Sequence, residues 1–118
     1  MLRGNMEALS ERRIFERMAA RFPTKFRDSS PDFGVDVFLK DVSASGAHIA
    51  TKEQLYLGDI ISLEILLPDG LDPILLNGRV CWIRQVASRI FEAGIVFHKI
   101  DLIRLHRLIR FASEASEH

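Results

Sequence analysis

The sequence predicts a mainly β protein: a small barrel of short strands with one α-helix at its C-terminal end. Three observations carry that prediction. Strand-like apolar runs recur at short, regular intervals, separated by turn clusters of Pro, Asp, Ser and Gly. Within several runs apolar and polar residues alternate with a period of two, as in a half-buried strand. After Asp101 the apolar residues change to helical spacing. With 118 residues, 47% of them hydrophobic and 27% charged, the chain suits one globular domain with a real core.

The elements follow in order. Residues 1–10 read as a flexible N-terminus, 11–113 as the domain and 114–118 as a second flexible end. Arg21 to Arg27 forms the first strand, and Pro23 confines it to an edge or a start. Asp28-Ser29-Ser30-Pro31-Asp32 is a turn cluster. Val35 to Lys40 alternates, with Val35, Val37 and Leu39 on one face and Asp41 at the end. Gly46 to Thr51 is a short strand. Ile60 to Leu67 sets Ile61, Leu63, Ile65 and Leu67 against Ser62 and Glu64, followed by the turn Pro68-Asp69-Gly70. Ile74 to Arg84 is a long strand containing Trp82, and Ile90 to Phe97 is its hairpin partner across Gln85 to Arg89. Asp101 is a good helix N-cap. Leu102, Leu105, His106 and Ile109, widened by Leu108, form the apolar stripe of the helix. Arg104, Arg107 and Arg110 fall on its other faces, where a solvated surface is the expectation.

Composition narrows the function. No apolar run approaches the roughly 20 residues of a membrane span, and Met1 to Arg13 has no apolar signal-peptide core. The single cysteine, Cys81, excludes an internal disulfide and points to a reducing cytoplasm. Net charge is zero but unevenly spread. Glu11 to Arg27 carries six cations and two anions, and Lys52 to Asp72 one cation and five anions. One region attracts phosphate and another repels it. Nonspecific DNA binding calls for an overall basic domain, so no DNA partner is expected. His48, His98, His106 and His118 lack metal-ligand spacing. No nucleophile elbow, Gly-rich phosphate loop or oriented Cys/His pair is present. Neither an enzyme nor a metal or cofactor is expected.

Two short motifs carry the chemistry. The first is Arg13-Ile14-Phe15-Glu16-Arg17 with Arg12 in front, an R-R-x-x-x-R cluster. A guanidinium is a planar fork of donors that stays charged. It grips a phosphate through two parallel hydrogen bonds, reads the O6/N7 edge of guanine or stacks on a base. On an extended segment Arg13 and Arg17 share a face roughly 13 Å apart, which suits a ligand with two phosphates and two bases. The second motif is Asp41-Val42-Ser43-Ala44-Ser45-Gly46, a D-x-S-x-x-G. Asp41 can accept from the N1 and N2 donors of guanine. Ser43 can bond a phosphate or the local backbone. Gly46 allows a positive φ or a close approach of backbone. Singly, each motif is as well read as a solvated face or a turn. Together, at strand borders of a short β-rich chain, they point to an anionic, guanine-bearing ligand.

In this pairing the chain resembles the PilZ family, the bacterial receptors for cyclic di-GMP, over roughly Glu11 to Phe111. Gly78-Arg79-Val80-Cys81-Trp82-Ile83-Arg84 is similar to the family's G-x-V-x-W-x-R strand, and Gly94-Ile95-Val96-Phe97 to its G-I-x-F strand. The resemblance implies a six-stranded antiparallel barrel with a C-terminal helix. It implies that Arg12, Arg13 and Arg17 hold phosphates and guanines, and that Asp41, Ser43 and Gly46 line the base pocket. It extends to Trp82 and Arg84 as base contacts, although a strand tryptophan is more often core. A basic residue at Arg12 goes, in this family, with capture of two stacked cyclic di-GMP molecules per chain.

Three functions are therefore weighed. The leading one is a cyclic di-GMP receptor whose arginine segment orders on binding and signals to a separate protein or through self-association, as in a homodimer. The alternative is a PilZ-fold interaction module, related to type IV pili or motility, that does not use the nucleotide. The third, a nucleic-acid-binding barrel, requires exposed aromatics among cations, whereas Phe38, Trp82, Phe91 and Phe97 are few and mostly core-phased.

Overall fold

Six strands and one helix make up the described part of the computed structural model, which covers residues 22–27, 32–98 and 102–116. The strands are β1 (Pro23–Phe26), β2 (Val37–Val42), β3 (Gly46–Thr51), β4 (Ile60–Ile65), β5 (Ile74–Ala87) and β6 (Ile90–Phe97); the helix is α1 (Leu102–Ser116). All neighbouring strands are antiparallel, and the sheet closes on itself in the order β1-β2-β3-β6-β5-β4. Closure removes the exposed edges that an open sheet would present. None of the described helices is long and apolar enough to cross a membrane.

The inward-facing residues form one continuous core. Val37 and Leu39 from β2, Ile49 from β3, Leu63 and Ile65 from β4, Ile74 and Val80 from β5, and Ala93 and Ile95 from β6 are all buried in it. Burying each large aliphatic side chain contributes about 1.5–3 kcal/mol. Along β4 the sequence pattern is realised as read: Leu63 and Ile65 are buried and Leu67 continues the phase beyond the strand, while Ile61 is partly buried against the core. Its ladder with β5 runs from Ile60↔Arg79 to Ile65↔Ile74 without a register shift.

Several boundaries differ from expectation. β1 is limited to Pro23–Phe26. Val35 lies before β2 and is exposed, because the chain is still turning there after Gly34, whose φ is 75°. β2 then runs on through Asp41 to Val42. β5 extends to Ala87, which shortens the link to β6. On α1 the buried pair is Leu105 and Leu108; Leu108 enters the core and Phe111 packs beside it, whereas His106 is exposed. Arg107 is no solvated arginine. It donates to Asp69 Oδ1 at 2.9 Å and to the Asp72 carbonyl at 3.0 Å, fastening the helix to the β4–β5 connection. The helix reaches Ser116, past residue 113; Asp101 lies outside the described residues.

Two of the three register shifts in these ladders, the third being at Gln85/Ala87, decide which way the side chains around the cavity point. In the β2–β3 ladder Leu39 faces Ile49, yet Asp41, not Lys40, faces His48. In the β5–β6 ladder Val80 faces Ile95, yet Trp82, not Cys81, faces Gly94. Each is a β-bulge, in which one strand spends an extra residue and reverses its alternation. With Val37 and Leu39 inside, an unbroken β2 would drive Asp41 into the core. With Ile74, Leu76 and Val80 inside, an unbroken β5 would do the same to Trp82. The bulges turn both outward, and the phase then resumes with Val42 and Ile83 packed on the core.

Candidate functional site

The outer face of β2, β3, β6 and β5 carries an open cavity of about 290 Å³. Its floor follows from the registers. Asp41 faces His48, His48 faces Gly94, and Gly94 faces Trp82. These four positions form one row across four strands. Gly94 contributes no side chain, and the Trp82 indole lies over it: a Cβ at position 94 would collide with the indole ring. Trp82 thereby meets His48 edge-on, with ring centroids 5.0 Å apart. Trp82 is 40% exposed, so much of its apolar surface faces solvent on the cavity floor, a platform on which a base can stack.

The rim is the loop between β2 and β3. The Val42 amide donates to Asp41 Oδ1 at 2.9 Å, leaving the second carboxylate oxygen for a further donor. The Ser43 amide donates to the Gly46 carbonyl at 2.9 Å and closes the turn. The Ser43 and Ser45 hydroxyls lie 3.4 Å apart. Gly46 is required for close approach rather than for left-handed backbone. Its added Cβ would collide with the Ile95 carbonyl oxygen, and positive φ occurs instead at Gly34, Gly58 and Gly70. Asp41, Ser43, Gly46 and Trp82, far apart in sequence, thus line a single cavity. Cys81, the extra residue of the β5 bulge, lines it too; its thiol is exposed and bonds the Gly94 carbonyl at 3.3 Å.

Arg84 stands two residues beyond Trp82 on the same outward face, beside the cavity. It faces Glu92 across β5–β6 and donates to Glu92 Oε2. Lys40, the extra residue of the β2 bulge, donates to Glu92 Oε1. His48 Nε2 is buried, lies 3.6 Å from Glu92 Oε2 and has no hydrogen-bond partner among the described residues. Burial by itself would raise the Glu92 pKa. The hydrogen bonds and charges of Lys40 and Arg84 outweigh it and hold the carboxyl at about 2, so the group stays ionised.

Of the residues picked from sequence, Arg12, Arg13 and Arg17 lie outside the described residues. His48, Glu92 and Lys40 were missed, and no motif marks them. Glu92 reads as an ordinary solvent-facing strand position; only the cations of two other strands cover it. The expectation that Trp82 is core-phased is corrected by the β5 bulge, and Phe38 is likewise outside the barrel, buried with Ala50 and Ile90 in a separate outer cluster.

The arrangement can stack a flat ring and accept hydrogen bonds from it. It has an aromatic face, a carboxylate acceptor, two hydroxyls and a neighbouring guanidinium. Among known protein families, the model described as PilZ domain matches residues 11–114, nearly the whole chain. No curated protein matches it.

Proposed function

This chain belongs to the PilZ domain family, and from that premise we propose that it is a cytoplasmic cyclic di-GMP receptor, a non-enzymatic adaptor that signals to a separate protein. The observation that carries the reading is the convergence of Asp41, Ser43, Gly46 and Trp82 on one outer cavity. The chemistry fits guanine. Asp41 is an acceptor for N1–H and N2–H, Trp82 a stacking face, and Arg84 a cation at the edge. Arg12, Arg13 and Arg17 precede the barrel in sequence and supply the phosphate grip. With no anion present their like charges repel; two ligand phosphates neutralise that repulsion and draw the segment onto the rim. The ordered segment is then a new surface for a partner or for a second copy.

Arg12 bears on stoichiometry. Two stacked ligands bring four phosphate charges, and a third guanidinium offsets part of their repulsion. We therefore expect two ligands per chain, falling toward one in Arg12→Leu.

Titration calorimetry with cyclic di-GMP tests the reading. Binding is expected at micromolar or better affinity, and Arg13→Ala and Arg17→Ala should each lose at least about 1.5 kcal/mol, the scale of a charged hydrogen bond. Bound nucleotide should also shield Cys81 from alkylation. No heat of binding, together with an unprotected Cys81, would reject the receptor and favour the nucleotide-independent interaction module.

A further inference from the structure

Beside the cavity, Glu92 stands on the barrel's outer face between an apolar cluster and the cations Lys40 and Arg84. Its row reads Phe38, Ala50, Glu92, Arg84 across β2, β3, β6 and β5, and Phe38 and Ala50 pack with Ile90 in a buried cluster. An apolar side chain would extend that cluster at no electrostatic cost. A carboxylate only 5% exposed must instead be desolvated, and buried ion pairs are often no more stabilising than apolar replacements of similar size. The cations that Glu92 holds do not need it for burial: the Lys40 side chain is 36% exposed and that of Arg84 65%. What the carboxylate does, and a leucine could not, is fix direction.

Each oxygen has its own task. Oε1 accepts from Lys40 across β3, and Oε2 accepts from Arg84 on the other side. Oε2 also lies 3.6 Å from His48 Nε2, and that imidazole packs against the Trp82 indole at 5.0 Å between ring centroids. One buried carboxylate therefore bonds the cation beside the cavity and lies next to the imidazole that packs on the aromatic of its floor.

We propose that Glu92 is a positioning residue of the nucleotide cavity, which holds the Arg84 guanidinium at its edge and, through His48, the Trp82 indole on its floor before ligand arrives. This rests on the reading of the cavity as a cyclic di-GMP site. A long arginine that is already anchored loses less freedom on binding, so affinity rises without a new contact to the ligand. Glu92 itself, covered by its two cations, touches no ligand.

The test is a double-mutant cycle on the full chain, read by calorimetry with cyclic di-GMP and by the fluorescence of Trp82, the single tryptophan. Glu92→Gln and Arg84→Ala should each weaken binding about tenfold. The double variant should be no weaker than either single one to within about threefold, because the two residues act as a unit. Trp82 emission in the free protein should shift in Glu92→Gln and stay unshifted in Arg13→Ala. Wild-type affinity in Glu92→Gln, or losses that multiply in the double variant, would overturn the proposal. Should Glu92→Gln fail to fold, the free wild-type chain decides by NMR: an anchored Arg84 gives separate, slowly exchanging guanidinium signals, and a single averaged signal overturns it. Wild-type protein that does not bind cyclic di-GMP would remove the nucleotide reading and this inference together, whereas wild-type binding left intact in Glu92→Gln removes the inference alone.

Discussion

The ladder between β4 and β5 and the sheet β2–β3–β6–β5 are built from the same kinds of residue but obey different rules. The first pairs six consecutive residues of β4 without a slip, and its alternation carries the core. The second slips within β2–β3 and within β5–β6, and each slip places a polar or aromatic side chain outside where strict alternation would bury it. Both sheets contribute to the core, and the interruptions of pairing shape the outer cavity face. Their ion pairs differ too. Arg107 and Asp69 fasten the helix to a surface connection, whereas Glu92 gathers two cations under cover.

The largest effect that sharpens this contrast belongs to the regular half. Leu63 is 1% exposed in the core, so Leu63→Ala should lower unfolding stability by about 2–5 kcal/mol. In chemical denaturation the midpoint should fall steeply, while cyclic di-GMP affinity measured below the transition stays near wild type. A matching loss of affinity would show that the two halves are not separable.

Next comes the buried carboxylate. Its pKa is depressed from an ordinary 4.5 to about 2, so its contribution to stability is fully present above the ordinary value and is lost as pH falls through about 2. The size at neutral pH is on the order of 2–3 kcal/mol. Wild type should exceed Glu92→Gln by that margin at neutral pH, and the gap should close progressively from about pH 4.5 downward. A gap unchanged at pH 2.5 would mean that the carboxylate's charge is not what stabilises this face.

Asp41 should behave in the opposite way to Leu63. It sits exposed at the end of β2 with its carboxylate bonded to the Val42 amide. Asp41→Ala should cost at least about 1.5 kcal/mol of cyclic di-GMP affinity and shift the melting temperature little. Cyclic di-AMP should bind the wild type poorly, because adenine offers an acceptor at N1 where the carboxylate needs a donor. Equal affinity for the two dinucleotides would refute the role of Asp41 in reading guanine.

The smallest effect is expected at the partly exposed surface clasp. Arg107 holds the Asp69 carboxyl below its ordinary pKa by a side-chain hydrogen bond, and Asp69 in turn raises the Arg107 pKa. Ion pairs at the surface contribute little and are screened by salt. Asp69→Asn should therefore lower the melting temperature slightly at low salt and not at all at high salt, with nucleotide binding unchanged. A large loss that persists in high salt would place the clasp among the elements that hold the barrel together.

Much of this protein follows from local pattern. A period of two needs only neighbours along the chain, so the strands Gly46–Thr51, Ile60–Ile65 and Ile90–Phe97 and the change to a helix near Leu102 were legible from the residues themselves. The D-x-S-x-x-G turn was legible for the same reason, since Asp41, Ser43 and Gly46 act on backbone within a few residues of one another. The six-stranded antiparallel barrel came from resemblance, and the order in which its strands pair came only from the structure, because which strands pair is not written in alternation.

What only the tertiary structure decided is everything that depends on a partner strand. A bulge exists only relative to the strand it slips against, so the outward turn of Asp41 and Trp82 could not be seen in β2 or β5 alone. In the sequence Gly94 only opens the Gly94-Ile95-Val96-Phe97 strand motif; in the fold it is the gap that seats an indole. Glu92 meets Lys40 across 52 residues of chain, and Arg107 meets Asp69 across 38. By itself the sequence determined most of the strands and the turn; register, a non-local property, decided which side chains those strands bring together on one face.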